Sequence, residues 1–282
     1  MNRNKRRIAM VLILSFALAV FLTGCKGNDK TPEAVGSVAQ EKKAFSIGCM
    51  PLNEPAVQIV KELLEAKGYQ VDVVVFDGNH LPAVALKDKN LDSLILNHLP
   101  WINTFNQENQ TELTMVQPYT YYSYFAIYSQ KHQSLDAIPD NGTIAIGGDP
   151  TNMDRSLRVL RDAGLITLGD KSGAFYSMID IEENPKNLQL LETEVTATVR
   201  SIADADAIVT FSSTMKMAGF DPKVFLYEDP SSTDFPTGFV VNKENAQAEW
   251  IQAAVEVTQS DEFKQRFNDF YGGAYKLFND VE

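Results

Sequence analysis

The segment Asp149-Pro150-Thr151-Asn152-Met153-Asp154-Arg155 combines residue types and spacings suited to holding an anionic ligand. Asp149 suits a helix N-cap and Pro150 the first helical position. A helix starting there offers unpartnered backbone N–H groups and a partial positive charge, both favourable to an anion. Thr151 and Arg155 are four apart, and Asn152 and Arg155 three apart, so they share a face. Met153, Leu157 and Leu160 form an apolar stripe on roughly the opposite side. Arg155 is thereby placed to meet a carboxylate, through both arms of its fork if the geometry allows. Thr151 and Asn152 would add hydrogen bonds. A solvated surface arginine beside a routine cap fits the same pattern.

Asn97-His98-Leu99-Pro100 follows an apolar strand, and open α/β sheets bind ligands just past such ends. His98 either donates a hydrogen bond from that loop or is a satisfied, partly buried histidine. The run Tyr119, Tyr121, Tyr122, Tyr124, Phe125 and Tyr128 alternates along a strand, with one face lining a pocket or packing against neighbours. His80, His98 and His132 lie far apart in different contexts, so no metal site is expected. GxSxG, Walker A, HExxH and GxGxxG are absent, and no Ser–His–Asp set is brought together. Neither a cofactor nor catalysis is called for. Cys49, in the apolar run Phe45–Met50, reads as a buried thiol in a strand.

The elements that position these residues alternate. A strand over Phe45–Met50, a helix from Asn53 or Glu54 to Gly68 and a strand over Tyr69–Phe76 come first. A helix over Leu81–Lys89 and a strand over Leu91–Leu96 follow, predicting a parallel sheet with right-handed crossovers. The pattern resumes after a long aromatic strand, Tyr119–Ser129. Strands at Gly142–Gly147, Leu188–Glu192 and Ala205–Phe211 alternate with a helix from Asp149 to Asp162, a short helix at Val199–Ala203, and another from Ser212-Ser213. Val224–Glu228 and Phe235–Asn242 are the last strands, and a helical tail runs from Ala246 to Phe270. Two α/β halves joined by long strands predict two lobes around a ligand cleft. Residues 44–126 and 238–282 form the first lobe and residues 127–237 the second.

The N-terminus is expected to be removed or anchored rather than folded. Arg3, Lys5, Arg6 and Arg7 precede an apolar run, Ile8 to Leu22. That run has 15 residues, short of the ~20 of a spanning helix. It reads as an export signal over residues 1–25. Leu22-Thr23-Gly24-Cys25 resembles a bacterial lipobox, in which the cysteine thiol receives a lipid and becomes the first mature residue. Losing four basic and no acidic residues takes the formal charge from −12 to −16. Such a balance argues against nucleic acid and against a polybasic membrane patch. Residues 26–43 are polar without apolar period and read as a flexible tether.

Taken together, the chain resembles the NlpA family, the methionine-binding lipoproteins of bacterial ABC importers. The likeness rests on the lipobox, on Leu91-Asp92 with His98 and Pro100, on Tyr128-Ser129 leading to Ser134-Leu135-Asp136, and on Asp149-Pro150-Thr151-Asn152 with Arg155. It continues through Gly164-Leu165-Ile166, the stretch from Ile181 to Leu188, and Gln259-Ser260-Asp261-Glu262. The resemblance implies a type II periplasmic-binding-protein-like α/β fold that closes over an amino acid, methionine or a close relative, and delivers it to a membrane permease. It implies a monomer anchored on the extracytoplasmic side of the cell membrane, with Arg155 on the ligand carboxylate and His98 in the site. Against the family's pattern, Phe211 stands for a usual asparagine, Trp101 for a usual tyrosine, and Asn79 and Ala83 for a tyrosine and an asparagine. Phe211, by cation–π contact, or a nearby carboxylate is left to meet the ligand ammonium. These departures motivate the rival expectation of an adhesin-like surface lipoprotein that has lost amino-acid capture.

Overall fold

The structure, a computed structural model, describes residues 42–278; the export signal and Cys25 lie outside the described residues. Strand β1 (Ala44–Cys49) pairs in parallel with β2 (Gln70–Val75), from Ala44↔Gln70 to Cys49↔Val75. Helix α1 (Glu54–Ala66) makes the crossover and buries Ala56, Val57, Ile59, Val60 and Leu64, the face its apolar period predicts. Gly68, at φ +87°, supplies the left-handed turn into β2. Helix α2 (Leu81–Lys87) leads to β3 (Ser93–Leu94), which joins the other edge of β1 in parallel. Helix α3 (Leu99–Asn109) and β4 (Leu113–Met115) follow.

The chain then crosses through β5 (Tyr121–Ser123) and β6 (Phe125–Tyr128). In the second half come β7 (Thr143–Gly147), α4 (Pro150–Asp162), β8 (Thr167–Leu168), β9 (Ile181–Glu183) and β10 (Gln189–Thr193). Strand β11 (Ala207–Phe211), α5 (Ser212–Met217) and β12 (Tyr227–Glu228) complete it. The chain returns through β13 (Val240–Asn242), α6 (Glu249–Thr258), α7 (Asp261–Tyr271) and β14 (Tyr275–Leu277).

Two five-stranded sheets, ordered β2-β1-β3-β13-β4 and β10-β7-β11-β6-β12, form the two lobes. Each has three parallel strands, then one antiparallel strand (β13 or β6) and a last strand paired antiparallel to it. Two-stranded ribbons, β5 with β14 and β8 with β9, complete the sheet structure of the described residues. One core gathers Phe45, Trp250, Phe263, Phe267 and Tyr271 around α1, α6 and α7. A second lies under α4, with Leu157 and Leu160 wholly buried. Each such aliphatic side chain contributes ~1.5–3 kcal/mol through burial. Cys49 is wholly buried, and its thiol is pushed up to about 12 by burial and then by Glu54.

Several expected elements are divided or displaced. The strand expected over Tyr119–Ser129 is broken at Tyr124, because the chain there leaves the β14 ribbon and enters the second sheet beside β11. The helical tail expected from Ala246 to Phe270 is two helices. Ser260 breaks it by N-capping α7, its hydroxyl accepting the Phe263 N–H at 3.2 Å. The expected strand Phe235–Asn242 is reduced to β13, preceded by single bridges from Thr237 to His98 and to Tyr121. His98, expected in a loop, is the N-cap of α3.

Candidate functional site

A cavity of about 80 Å³ lies between the two large sheets. Its walls come from residues just past the C-terminal ends of the parallel strands. Asn53 follows β1, Asn97 and His98 follow β3, and Asn152 and Thr196 follow β7 and β10. Phe211 ends β11 and lines the cavity from there. These strand ends are where a crevice opens in α/β sheets, because the crossovers diverge there. Tyr121, Phe235 and Thr237, from the segments crossing between sheets, and Tyr275 of β14 close the remaining sides. The wall includes the N-caps of α1 and α3 and a first-turn residue of α4, so partial positive charge from three helices converges on the cavity.

His98 serves both its helix and the cavity. Its Nδ1 accepts the Trp101 N–H at 3.1 Å, capping α3. That bond leaves the ring proton on Nε2, which lies 3.3 Å from Asn152 Oδ1 and donates to it. Burial first, and then the Arg155 cation, lower the His98 pKa to about 4, so the ring is neutral at physiological pH. Asn152 is fixed from its other side, its Nδ2 donating to Asp149 Oδ2 at 2.8 Å. Thr151 turns to the same cap, its hydroxyl donating to Asp149 Oδ1 at 2.8 Å. Of the six ligand-binding candidates, His98, Trp101, Asn152 and Phe211 therefore line the cavity. Thr151 and Arg155 stand behind its wall.

Arg155 is almost wholly buried, at 1 % exposure, and is not a solvated surface residue. Its Nε donates to Asp229 Oδ2 at 2.7 Å and its Nη2 to Ser232 Oγ at 3.1 Å. The guanidinium carbon lies 3.8 Å from the Phe235 ring centre and 4.4 Å from that of Phe125. Burial lowers its pKa to about 10 against the opposing pull of Asp229, so the cation persists at neutral pH. The forked contact expected of this arginine is not open, because Asp229 and Ser232 occupy two of its three nitrogens. Nη1 is a buried donor without a partner.

The wall contains no Asp, Glu, Lys or Arg. It is built from aromatic rings, aliphatic groups, amides and hydroxyls. Phe211 packs edge-on against Phe125 at 4.7 Å, and Trp101 stacks on Phe105 at 5.5 Å. Asn79 lines the cavity, whereas Ala83 is buried in the core of the first lobe. Among the described residues no group of His, Cys, Asp and Glu is arranged to hold a metal ion. Sequence reasoning missed Asp229, Ser232, Phe235 and Asn53. Asp229 lies 74 residues from Arg155, and no local period links them. The one sequence signal is the turn-forming run Asp229-Pro230-Ser231-Ser232, where Asp229 Oδ1 accepts from the Ser231 N–H at 2.8 Å.

Comparison with known proteins bears on this site. Residues 45–277 match the NlpA lipoprotein family. The D-methionine-binding lipoprotein MetQ of Salmonella typhimurium is 32 % identical over 270 residues, 94 % of either chain. Among solved structures, a nutrient-binding protein from Burkholderia cenocepacia bound to methionine superposes with a TM-score of 0.78 at 25 % identity, covering 83 % of this chain and 99 % of that one. The substrate-binding protein of a methionine transporter from Streptococcus pneumoniae gives 0.77 at 26 % identity, covering 83 % and 95 %.

Proposed function

From the premise that this chain belongs to the NlpA lipoprotein family, a family of binding proteins and not enzymes, we propose that it captures a free amino acid, methionine or a close relative, for an ABC importer. The observation that carries the reading is the cavity between the sheets, walled by strand-end loops and the segments crossing between the sheets and free of charged side chains. Its aromatic walls suit a thioether, each sulfur–ring contact contributing ~0.3–1.5 kcal/mol. The converging helix N-termini suit a carboxylate. The proteins from Salmonella, Burkholderia and Streptococcus described above, named or solved with methionine, support the same ligand class.

In this reading the ligand enters between open lobes, which hinge on the segments crossing between the sheets. Arg155 stands behind the wall of the shut cavity. Once the lobes open, its Nη1 is the one guanidinium nitrogen left for the ligand carboxylate, a single contact and not a fork, because Asp229 and Ser232 retain the other nitrogens. Trp101, Phe211 and His98 pack on the side chain, and Thr151 acts indirectly by fixing the Asp149 cap. Lipidated at Cys25, the mature domain stays on the extracytoplasmic face of the membrane, where a permease receives the ligand.

Two measurements test this reading. Protein purified without added ligand is denatured, and the released small molecules are identified by mass spectrometry. Thermal shift is then recorded with D- and L-methionine, where ligand at 100 times Kd stabilises by ~2.7 kcal/mol. Retained methionine, or a shift with either enantiomer, supports the proposal. No retained amino acid and no shift with any standard amino acid refutes it.

A further inference from the structure

The proposed ligand carries an ammonium, yet no carboxylate lines the cavity to receive it. Two buried amides supply what is missing. Asn97 is 4 % exposed, and its Nδ2 donates to Asn79 O at 3.2 Å and to Asn79 Oδ1 at 2.9 Å. A backbone carbonyl can only accept, so this contact fixes which end of the Asn97 amide is which. The Oδ1 left over is buried and has no partner. Asn53 is 2 % exposed, and its Nδ2 donates to the Tyr121 hydroxyl at 2.9 Å, leaving its Oδ1 buried and unpartnered as well.

Asn53 makes the second case more pointed. It occupies the N-cap of α1, where an asparagine Oδ1 ordinarily accepts a first-turn N–H, but here the side chain makes no cap bond. An acceptor withheld from its local donor, and hidden from water, is costly unless something else donates to it. The two residues are also neighbours by topology. They follow β1 and β3, adjacent parallel strands paired at Gly48↔Leu94, and so lie at the same C-terminal end of the first sheet.

We propose that Asn97 and Asn53 form the ammonium subsite, each turning an amide oxygen to a ligand N–H. The subsite rests on the amino-acid reading above. It places both acceptors on the first lobe and the carboxylate donor, Arg155, on the second, so a zwitterion bridges the lobes and holds them shut.

The test compares methionine with its des-amino analogue, in which hydrogen replaces the ammonium, by titration calorimetry. Wild type should bind methionine far more tightly than the analogue. Asn97→Leu should weaken methionine about 10- to 100-fold, the loss of a charge-assisted hydrogen bond, and leave the analogue unchanged. Circular dichroism and melting temperature verify folding. Asn97→Asp keeps an acceptor and should retain methionine while rejecting the analogue, so the proposal stays testable if the leucine variant does not fold. Equal methionine affinity in wild type and Asn97→Leu, or tight analogue binding by Asn97→Asp, overturns the subsite while the amino-acid reading stands. If wild type binds no amino acid, the reading falls and the subsite with it.

Discussion

Acidification should weaken the fold through one side chain, and the size of the effect follows from its surroundings. His98 titrates at about 4 in the folded protein against 6.5 for an unperturbed imidazole, chiefly because it is buried and secondly because Arg155 is near. As pH falls below 6.5 the unfolded chain takes up a proton that the native ring refuses. Stability therefore declines with falling pH until the native group itself titrates near 4. The gap is about 2.5 pH units, which at about 1.36 kcal/mol per unit amounts to roughly 3 kcal/mol in all. Of that, about 2 kcal/mol is lost between pH 7 and pH 5. Carboxylates titrate over part of the same range, so the informative quantity is a difference between variants. His98→Asn serves, because an asparagine oxygen can still cap the Trp101 N–H while the group that titrates is removed. Urea unfolding at both pH values should show wild type losing about 2 kcal/mol more than His98→Asn. Equal losses would refute the reasoning, showing that the ring meets solvent with the lobes open and titrates normally.

Three further outcomes are expected. Asp229→Asn removes the counterion of a guanidinium that is 1 % exposed, and should cost ~3–5 kcal/mol in urea unfolding; a loss under ~1 kcal/mol would mean that Ser232 and the flanking rings suffice. Phe211→Asn puts a donor and an acceptor into the cavity wall and should improve methionine affinity about tenfold by calorimetry; weaker binding would show that the lost packing of the ring on the ligand outweighs the polar groups gained. Cys25→Ser should abolish incorporation of labelled palmitate in cells, since a hydroxyl cannot form the thioether, and equal label in both proteins would dismiss the anchor.

Local signals account for most of what the sequence foretells. Helix α1, helix α4 with its Asp149-Pro150 start, and strands β1, β2, β7 and β11 all follow from apolar period plus cap chemistry. Helix α3 does not. Only Ile102 and Phe105 are buried in its 11 residues, three of them asparagine, so neither period nor propensity marks it. The tail shows the opposite failure. Its apolar period runs through the break, while Ser260-Asp261-Glu262 carries a start signal that outweighs it. The site divides the same way. His98, Asn152 and Arg155 stand on strand ends and helix starts, which a chain of residues displays. The pairing of Arg155 with Asp229 and the stranded oxygens of Asn53 and Asn97 arise only when distant segments meet.

Trp101 gives the protein a built-in optical reporter. The chain has two tryptophans. Trp250 is 3 % exposed, packed 4.7 Å from Phe45 in the core, and does not line the cavity. Trp101 alone borders the cavity, stacked on Phe105 and carried on the helix that His98 caps. In the proposed capture of an amino acid between the lobes, its indole would pass from water to the cavity's aromatic wall as they shut, whereas Trp250 would emit a constant background. Stopped-flow emission of the unlabelled protein would then time closure directly, and Trp250→Phe would leave Trp101 as the single fluorophore at the cavity.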